Sequence, residues 1–352
     1  MMFHLAVALD GYGWNPQAWR VTRAPSPFSG RYWTELAVTA ERGLLDFLTI
    51  DDSLMPQPGR RERIDPKRLA GRGDAVLVAA RIAPATRHIG LVPVATVTHT
   101  EPFHISKSIA TLDHVSRGRA GWQPRVSVTT HEAVLFGRRT VDAADLFPEA
   151  RDFVEVVRRL WDSWEDDEVR PDVAGHHVDT DKLHHIDFTG KYFSVKGPSI
   201  TPRPPQGQPV VAALAHAGPA YQFAVATADV VFITPMDAAG LRAILDEVHG
   251  LKVFADVVVS FGGDADFRSD CLVISTSAPD LVDMLLDWQR LGIDGARLRP
   301  AVNATDLPVI VDEVVPLLQK AGRFRTGYRD GETLRERLRL PVAPNRYAAV
   351  PR

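Results

Sequence analysis

The sequence predicts a (β/α)8 barrel. Short β-branched or apolar runs alternate with helix-period segments, these pairs number eight, and 352 residues suit a barrel built as one unit. In chain order, strands are expected at His4 to Leu9, Asp46 to Asp51, Ile89 to Thr96 and Arg119 to Val126, then at Pro209 to Leu214, Val230 to Thr234, Val253 to Phe261 and Gly295 to Arg299. Each is followed by a helical candidate: Tyr32 to Gly43, Asp65 to Ala83, Phe103 to Val115 and Glu149 to Trp164, then Pro219 to Thr227, Ala238 to Val248, Ala278 to Leu291 and Leu307 to Ala321. An open doubly wound sheet would place a third glycine and a prompt helix after the first strand. Here LDGYGWN carries only Gly11 and Gly13.

Residues 1–352 are therefore expected to form a single barrel domain with three stretches outside its rhythm. Residues 52–64 make a polar loop bearing Pro and Arg. Residues 165–208 form an insertion after the fourth helix, and HIDFTGKYFSV within it alternates around a Thr-Gly turn as a hairpin does. The basic, Pro-punctuated tail 322–352 is expected to wrap the outside or a partner subunit. Hydrophobic residues make up 45% and charged residues 24%, the balance of a globular protein with a large core. A formal net charge of -3 gives no global pull toward nucleic acid or membrane, and no basic stripe with interleaved aromatics appears. Cys271 is the single cysteine, so an internal disulfide is excluded; with no targeting pattern at the start, a cytoplasmic protein is expected.

In such a barrel the reactive groups gather at the C-terminal ends of the strands. That rim holds Asp10, Asp51, Asp52, Thr96, Thr98, His99, Gln123, Arg125, His216, Thr234, Arg297 and Arg299. It offers donors and both charge signs but no compact triad, so no catalytic residue can be singled out. Bland roles compete for several of these groups. Asp52 before Ser53 can cap a turn, Thr96 and Thr98 suit any strand, and Asp113 with His114 suit a helix C-terminus. Arg117 and Arg119 flank Gly118 and belong with a turn at the lower rim. The run His176, His177, Asp179, Asp181, His184, His185, Asp187 has metal-ligand chemistry but no recognised spacing, and reads as a solvated loop. No Gly-x-Ser-x-Gly elbow exists. What remains is a mouth suited to a sizeable polar cofactor.

Several stretches carry a resemblance that spans nearly the whole chain. They are FHLAVALD with AWR (3–20), DFLTIDDSL (46–54), ATVTHTEPFHISKSIATLDHVSRGRAGW (95–122), FVEVVRRLWDSWEDD (153–167), GKYFSVKGP with PQGQPV (190–210), and FRTGYRDGETLRERLRLP with NRYA (324–348). With these the chain resembles the bacterial luciferase-like flavin monooxygenases, in the branch of the nitrilotriacetate, pristinamycin-synthesis and dibenzothiophene-sulfone enzymes. The resemblance implies a (β/α)8 barrel that takes reduced FMN from a separate flavin reductase in a two-component system. It further implies that O2 adds to form a C4a-hydroperoxide, that a small organic substrate is oxygenated, and that the chain is a homodimer or homotetramer. In such a site the cofactor carries the hard chemistry, so the missing triad is expected.

Carried over residue by residue, the resemblance places Asp52, Thr96, Thr98, Gln123 and Ser127 against the flavin, with Gln123 standing for the family's Asn and Asp51 for its Ala. The phosphate is expected at the start of the fifth helix, where the family has Gln-Ala-Gly-Ser-Ser. This chain has Ala213-Leu214-Ala215-His216-Ala217 followed by Gly218 and Pro219, so both hydroxyls are gone and His216 and Gly218 remain as candidates. Phe147 replaces the family's Tyr before the fourth helix, and the lid region from Thr234 to Asp270 is shortened. Two rivals stay open on these departures: an F420-dependent oxidoreductase on the same barrel, and a degenerate non-catalytic paralogue that binds flavin weakly or not at all.

Overall fold

Eight parallel strands close on themselves in the computed structural model, which describes residues 2–57, 63–169, 175, 177–263 and 265–348. They are β1 (His4–Leu9), β2 (Phe47–Ile50), β3 (Gly90–Thr96), β4 (Gly121–Arg125), β5 (Val210–Ala215), β6 (Val230–Ile233), β7 (Lys252–Ser260) and β8 (Gly295–Pro300). Each pairs with the next, and β8 returns to β1 with His4 opposite Gly295. All eight expected strands are present. The helices around them are α1 (Gly30–Arg42), α2 (Ala75–Ile82), α3 (Pro102–Ser116), α4 (Leu146–Asp162), α5 (Gly218–Thr227), α6 (Ala238–Glu247) and α7 (Ala278–Leu291). The eighth, α8, runs Asn303–Val309, passes through a π turn over Ile310–Val314, and ends as Val315–Lys320.

Period-two alternation along each strand decides what lies inside. Leu5, Val7 and Leu9 of β1 point outward into the layer shared with the helices, while Ala6 joins Phe47, Val92, Phe232 and Phe254 in the lower interior. That lower layer is apolar. Above it, the inward positions become Thr49, Gln123, Asp256, Arg297 and Arg299, every one of them buried. The barrel thus changes character half-way up.

The bottom is closed by the tail. A capping box between Thr333 and Glu336 starts the short helix Leu334–Arg337, which presents Leu334 to the apolar lower cluster along with Leu338. Nearby, fully buried Asp46 accepts hydrogen bonds from His4 Nδ1 (2.9 Å), from the Leu5 N–H (2.8 Å) and from Arg325. Asp113, at the end of α3, ties the Gln206 side chain (2.6 Å) to the Ala120 N–H (3.0 Å); this is a structural use of the Asp-His pair. Arg117 ends α3 in the left-handed region at φ 58, and buried Arg119 donates to the Ala83, Thr86 and Ile89 carbonyls at the lower rim.

Three details differ from the expectation. The second helix begins at Ala75 rather than Asp65, because Asp74 caps it and the stretch before it contains Pro66 and two glycines, Gly71 at φ 89. Leu272–Ser275, in the run CLVIS, is a ninth strand that lies parallel to the upper half of β7. Pro308 and Pro316 inside the last helix lack N–H donors, and the π turn lies between them. In the 165–208 insertion, Phe188–Thr189 and Ser194–Val195 form the hairpin around Gly190.

Candidate active site

Inward Asp256 of β7 sits between two arginines of β8. Arg297 Nε donates to Asp256 Oδ1 (2.6 Å) and its Nη2 donates to Oδ2, while Arg299 Nε donates to Oδ2 (3.0 Å). Arg297 reaches across the barrel to Gln123 Oε1 (2.7 Å) and Thr49 Oγ1 (3.3 Å), so strands 2, 4, 7 and 8 are braced at one level. Pairing of this quality is what allows charge to persist in so dry a place, since an unpaired buried ion is prohibitive. This layer is the floor of the site.

Above the floor opens a cavity of about 610 Å³. Its walls come from the C-terminal ends of β1, β2, β4 and β5 and from the strap that follows β7, which is where a barrel of this kind builds its chemistry. Tyr12, Trp14, Phe147 and Phe223 make much of the apolar lining. Trp14 is held rigidly: its indole N–H donates to the Ala8 carbonyl (2.7 Å), and its ring lies 4.3 Å from the Arg299 guanidinium.

Charges on the wall are mutually engaged. Arg72 spans Asp51 (2.6 Å) and Asp10 (2.9 Å), and Arg125 donates to Asp51 (3.1 Å) and to the Asp52 carbonyl (2.7 Å). Burial works to raise both carboxyls. In Asp10 burial prevails, helped by repulsion from Asp51, and its pKa is raised; in Asp51 the two arginines outweigh burial, and its pKa is lowered. On the opposite side, His216 Nε2 lies 3.3 Å from Asp270 Oδ2 and its Nδ1 lies 3.0 Å from Thr234 Oγ1. Asp270 also receives Arg299 (2.5 Å); burial would raise its carboxyl, but the His216 and Arg299 contacts hold it well below the usual range.

The residues expected from the sequence divide in two. Gln123 and His216 line the cavity, and Gly218 lines a neighbouring cleft of about 500 Å³ between the starts of α5 and α6. Asp52, Thr96, Thr98 and Ser127 are not on the cavity wall. Half-buried Asp52 accepts the Ser53 N–H (2.7 Å) and the Ala75 N–H (3.1 Å), helping to start α2, and burial pushes its carboxyl up to about 6. Thr98 Oγ1 accepts the Ser127 N–H (3.0 Å), and the Ser127 hydroxyl donates to Glu132. Thr96 is buried, and His99 stacks on Phe136. Of the histidine run, His176 lies outside the described residues, His184 pairs with Glu165 (2.8 Å) and His185 with the Gly197 carbonyl (2.7 Å); among the described residues no three metal-capable side chains converge.

Sequence reasoning missed Asp256, Asp270 and Arg72. One signal was available for the first: an aspartate in register with Phe254 inside the otherwise apolar run VFADVVVS has to face a partner.

The start of α5 has the position of an anion cradle but few of its parts. Its N-cap residue, Ala217, makes no side-chain cap, Pro219 has no N–H, and a side chain at Gly218 would point toward Glu247 Oε2, 4.0 Å away.

A family model described as luciferase-like monooxygenase matches residues 13–256. N-acetyl-S-(2-succino)cysteine monooxygenase of Bacillus subtilis (strain 168) is 30% identical, with 98% of each chain covered. Nitrilotriacetate monooxygenase component A of Aminobacter aminovorans is 35% identical over 75% of this chain and 65% of its own length. Among solved structures, EDTA monooxygenase from Chelativorans sp. BNC1 superposes with a TM-score of 0.86 at 22% identity, covering 98% of this chain and all of that one.

Proposed function

Because the chain belongs to the luciferase-like monooxygenase family, we propose that its cavity holds the ring of reduced FMN supplied by a separate reductase and that it oxygenates a small organic substrate with O2. The observation that carries this reading is the cavity itself, an aromatic-walled chamber over a rigid polar floor at the barrel mouth. Its volume lies within the range of cofactor pockets, and flat side chains such as Trp14, Phe147 and Phe223 suit a tricyclic ring. Gln123 keeps an amide N–H2 available while its oxygen is fixed by Arg297, and His216 presents an imidazole from the far wall. The phosphate end fits less well, since the start of α5 lacks both hydroxyls and one N–H.

When bound, reduced flavin supplies the electrons that activate dioxygen. The work of this chain is then to bind, orient and keep water out. Trp14 and the apolar lining limit solvent access, which matters wherever a reactive oxygen species must reach substrate before water does. His216, with Asp270 behind Nε2 and Thr234 at Nδ1, is the wall group best placed to hold or move a proton. Asp52, Thr98 and Ser127 are assigned to positioning: the Thr98–Ser127 bond fixes the chain just beyond β4, and Asp52 fixes the segment that carries Arg125's acceptors.

The test is anaerobic titration with reduced FMN followed by an oxygen pulse. Saturable binding and re-oxidation at a rate different from that of free flavin are expected. Absence of binding by folded protein would remove the FMN reading and leave the F420-dependent oxidoreductase and the non-catalytic barrel, which titration with F420 separates.

A further inference from the structure

The cavity wall carries more positive than negative charge. Arg68, Arg72, Arg125 and Arg268 face Asp10, Asp51 and Asp270. The carboxylates are all taken: Asp10 and Asp51 by Arg72 and Arg125, Asp270 by Arg299 and His216. Arg68 and Arg268, by contrast, make no ion pair with any described residue. They stand on different elements, Arg68 in the segment before α2 and Arg268 in the strap after β7, yet both border one chamber.

Arg68 is anchored through its backbone, whereas Arg268 is exposed on the strap. The Arg68 N–H donates to the Asp65 carbonyl (3.1 Å) and its own carbonyl accepts Gln57 Nε2 (3.1 Å). Arg268 lies two residues before Asp270, which Arg299 anchors. A guanidinium whose donors no other described residue engages is suited to an oxygen anion, which it can grip with two parallel N–H groups. Two of them at one chamber also raise the local concentration of anionic ligands.

Several alternative anion holders at this rim are already occupied. Asp74, Asp237 and Ser277 already cap α2, α6 and α7 with their own side chains, and α3 and α4 start beside Glu101 and Asp145. The start of α5 is uncapped and borders the neighbouring cleft, and there Glu247 stands opposite Gly218. A phosphate would meet a carboxylate at the place where helix geometry alone would put it.

We propose that Arg68 and Arg268 form an oxyanion subsite of the cavity, taking either the phosphate of the flavin or an acid group of the substrate. This deepens the flavin reading and rests on it for the identity of the neighbouring ligand. The subsite itself is defined by the arginines.

The experiment compares the full chain with R68Q, R268Q and the double variant, each checked for an unchanged circular dichroism spectrum. Oxidised FMN and riboflavin, which differ only by the phosphate, are titrated by fluorescence quenching, and succinate and inorganic phosphate by calorimetry. If the subsite takes the flavin phosphate, FMN binds the native chain about tenfold or more tightly than riboflavin, and each single variant narrows that ratio. If it takes a substrate acid group, the two flavins bind alike, while succinate binds the native chain and weakens about tenfold in each variant. Both outcomes support the subsite and say which source fills it. An FMN preference unchanged in the double variant overturns the proposal, as does indifference of all four probes to both substitutions. Arginine-dependent binding of succinate or phosphate with no flavin binding keeps the subsite and rejects the flavin.

Discussion

Two buried aspartates, one at each end of the barrel, solve the same electrostatic problem for different purposes. Asp46 beneath the barrel and Asp256 within it are both 0% exposed; Asp46 lies between His4 and Arg325, and Asp256 between Arg297 and Arg299. Asp46 spends its remaining capacity on a backbone N–H and on the tail, so its network ends there. The partners of Asp256 lead onward, through Arg297 to Gln123 and through Arg299 to Asp270 and His216, all the way to the chamber wall. A closed network seals; an open-ended one transmits position. The difference teaches that burial of charge marks a functional place only when its partners continue to a cavity.

Asp256→Ala tests this most severely. It leaves Arg297 buried without a counter-charge and Arg299 with Asp270 alone, and should cost about 3–5 kcal/mol in urea unfolding. Flavin affinity should fall with it, because Gln123 loses its brace. Asp46→Ala should cost a comparable amount of stability with flavin affinity in the surviving folded protein unchanged; if both variants lost affinity equally, the contrast between the two ends would collapse. Leu334→Ala, which removes the plug from the apolar layer, should cost about 2–5 kcal/mol and leave the chamber unaffected.

Acid sharpens the comparison. Burial would raise Asp46, but Arg325 and His4 outweigh it and hold its carboxyl well below the usual range. A carboxyl lowered in the folded state contributes stability that is present above its unfolded pKa, near 3.8, and is lost as pH falls through the folded value. Asp52 has the opposite sign: raised by burial to about 6, it favours the folded state most below pH 3.8, and that contribution is lost as pH rises toward 6. Asp113, also raised to about 6 by burial, adds to the same slope. Unfolding free energies measured from pH 3 to 8 should show Asp46→Asn flattening the acid limb and Asp52→Asn reducing the decline between about pH 4 and 6. The smallest effect expected is that of Trp14→Phe, which gives up the hydrogen bond to the Ala8 carbonyl and part of the contact with Arg299, about 1 kcal/mol by thermal unfolding.

Strands and helices were readable because period-two and period-3.6 patterns are local, and each of the eight strand runs contains its own signal. Which residues would share a wall was not local. Asp256 meets Arg297 at a separation of 41 residues and Arg297 meets Gln123 at 174, and no spacing rule connects them. Ser127 shows a second limit: the sequence places it at the mouth, but Val126 and Val128 take the cavity side and Glu132, five residues on, claims the hydroxyl. CLVIS is strand-like in sequence, but it follows a polar, irregular stretch with no helix between it and β7, so the alternating rhythm does not place it on β7.

That ninth strand alters how the upper edge of the barrel can change over time. β6 borders only the lower part of β7, at residues 252–255, while Leu272–Ser275 borders residues 257–260. The connecting strap therefore departs from one strand and docks back on that same strand, like a handle bolted at both ends to a single stave. Trimming or enlarging the handle leaves the register of every other stave untouched, so a lineage can remodel what it admits to the chamber without renegotiating the cask.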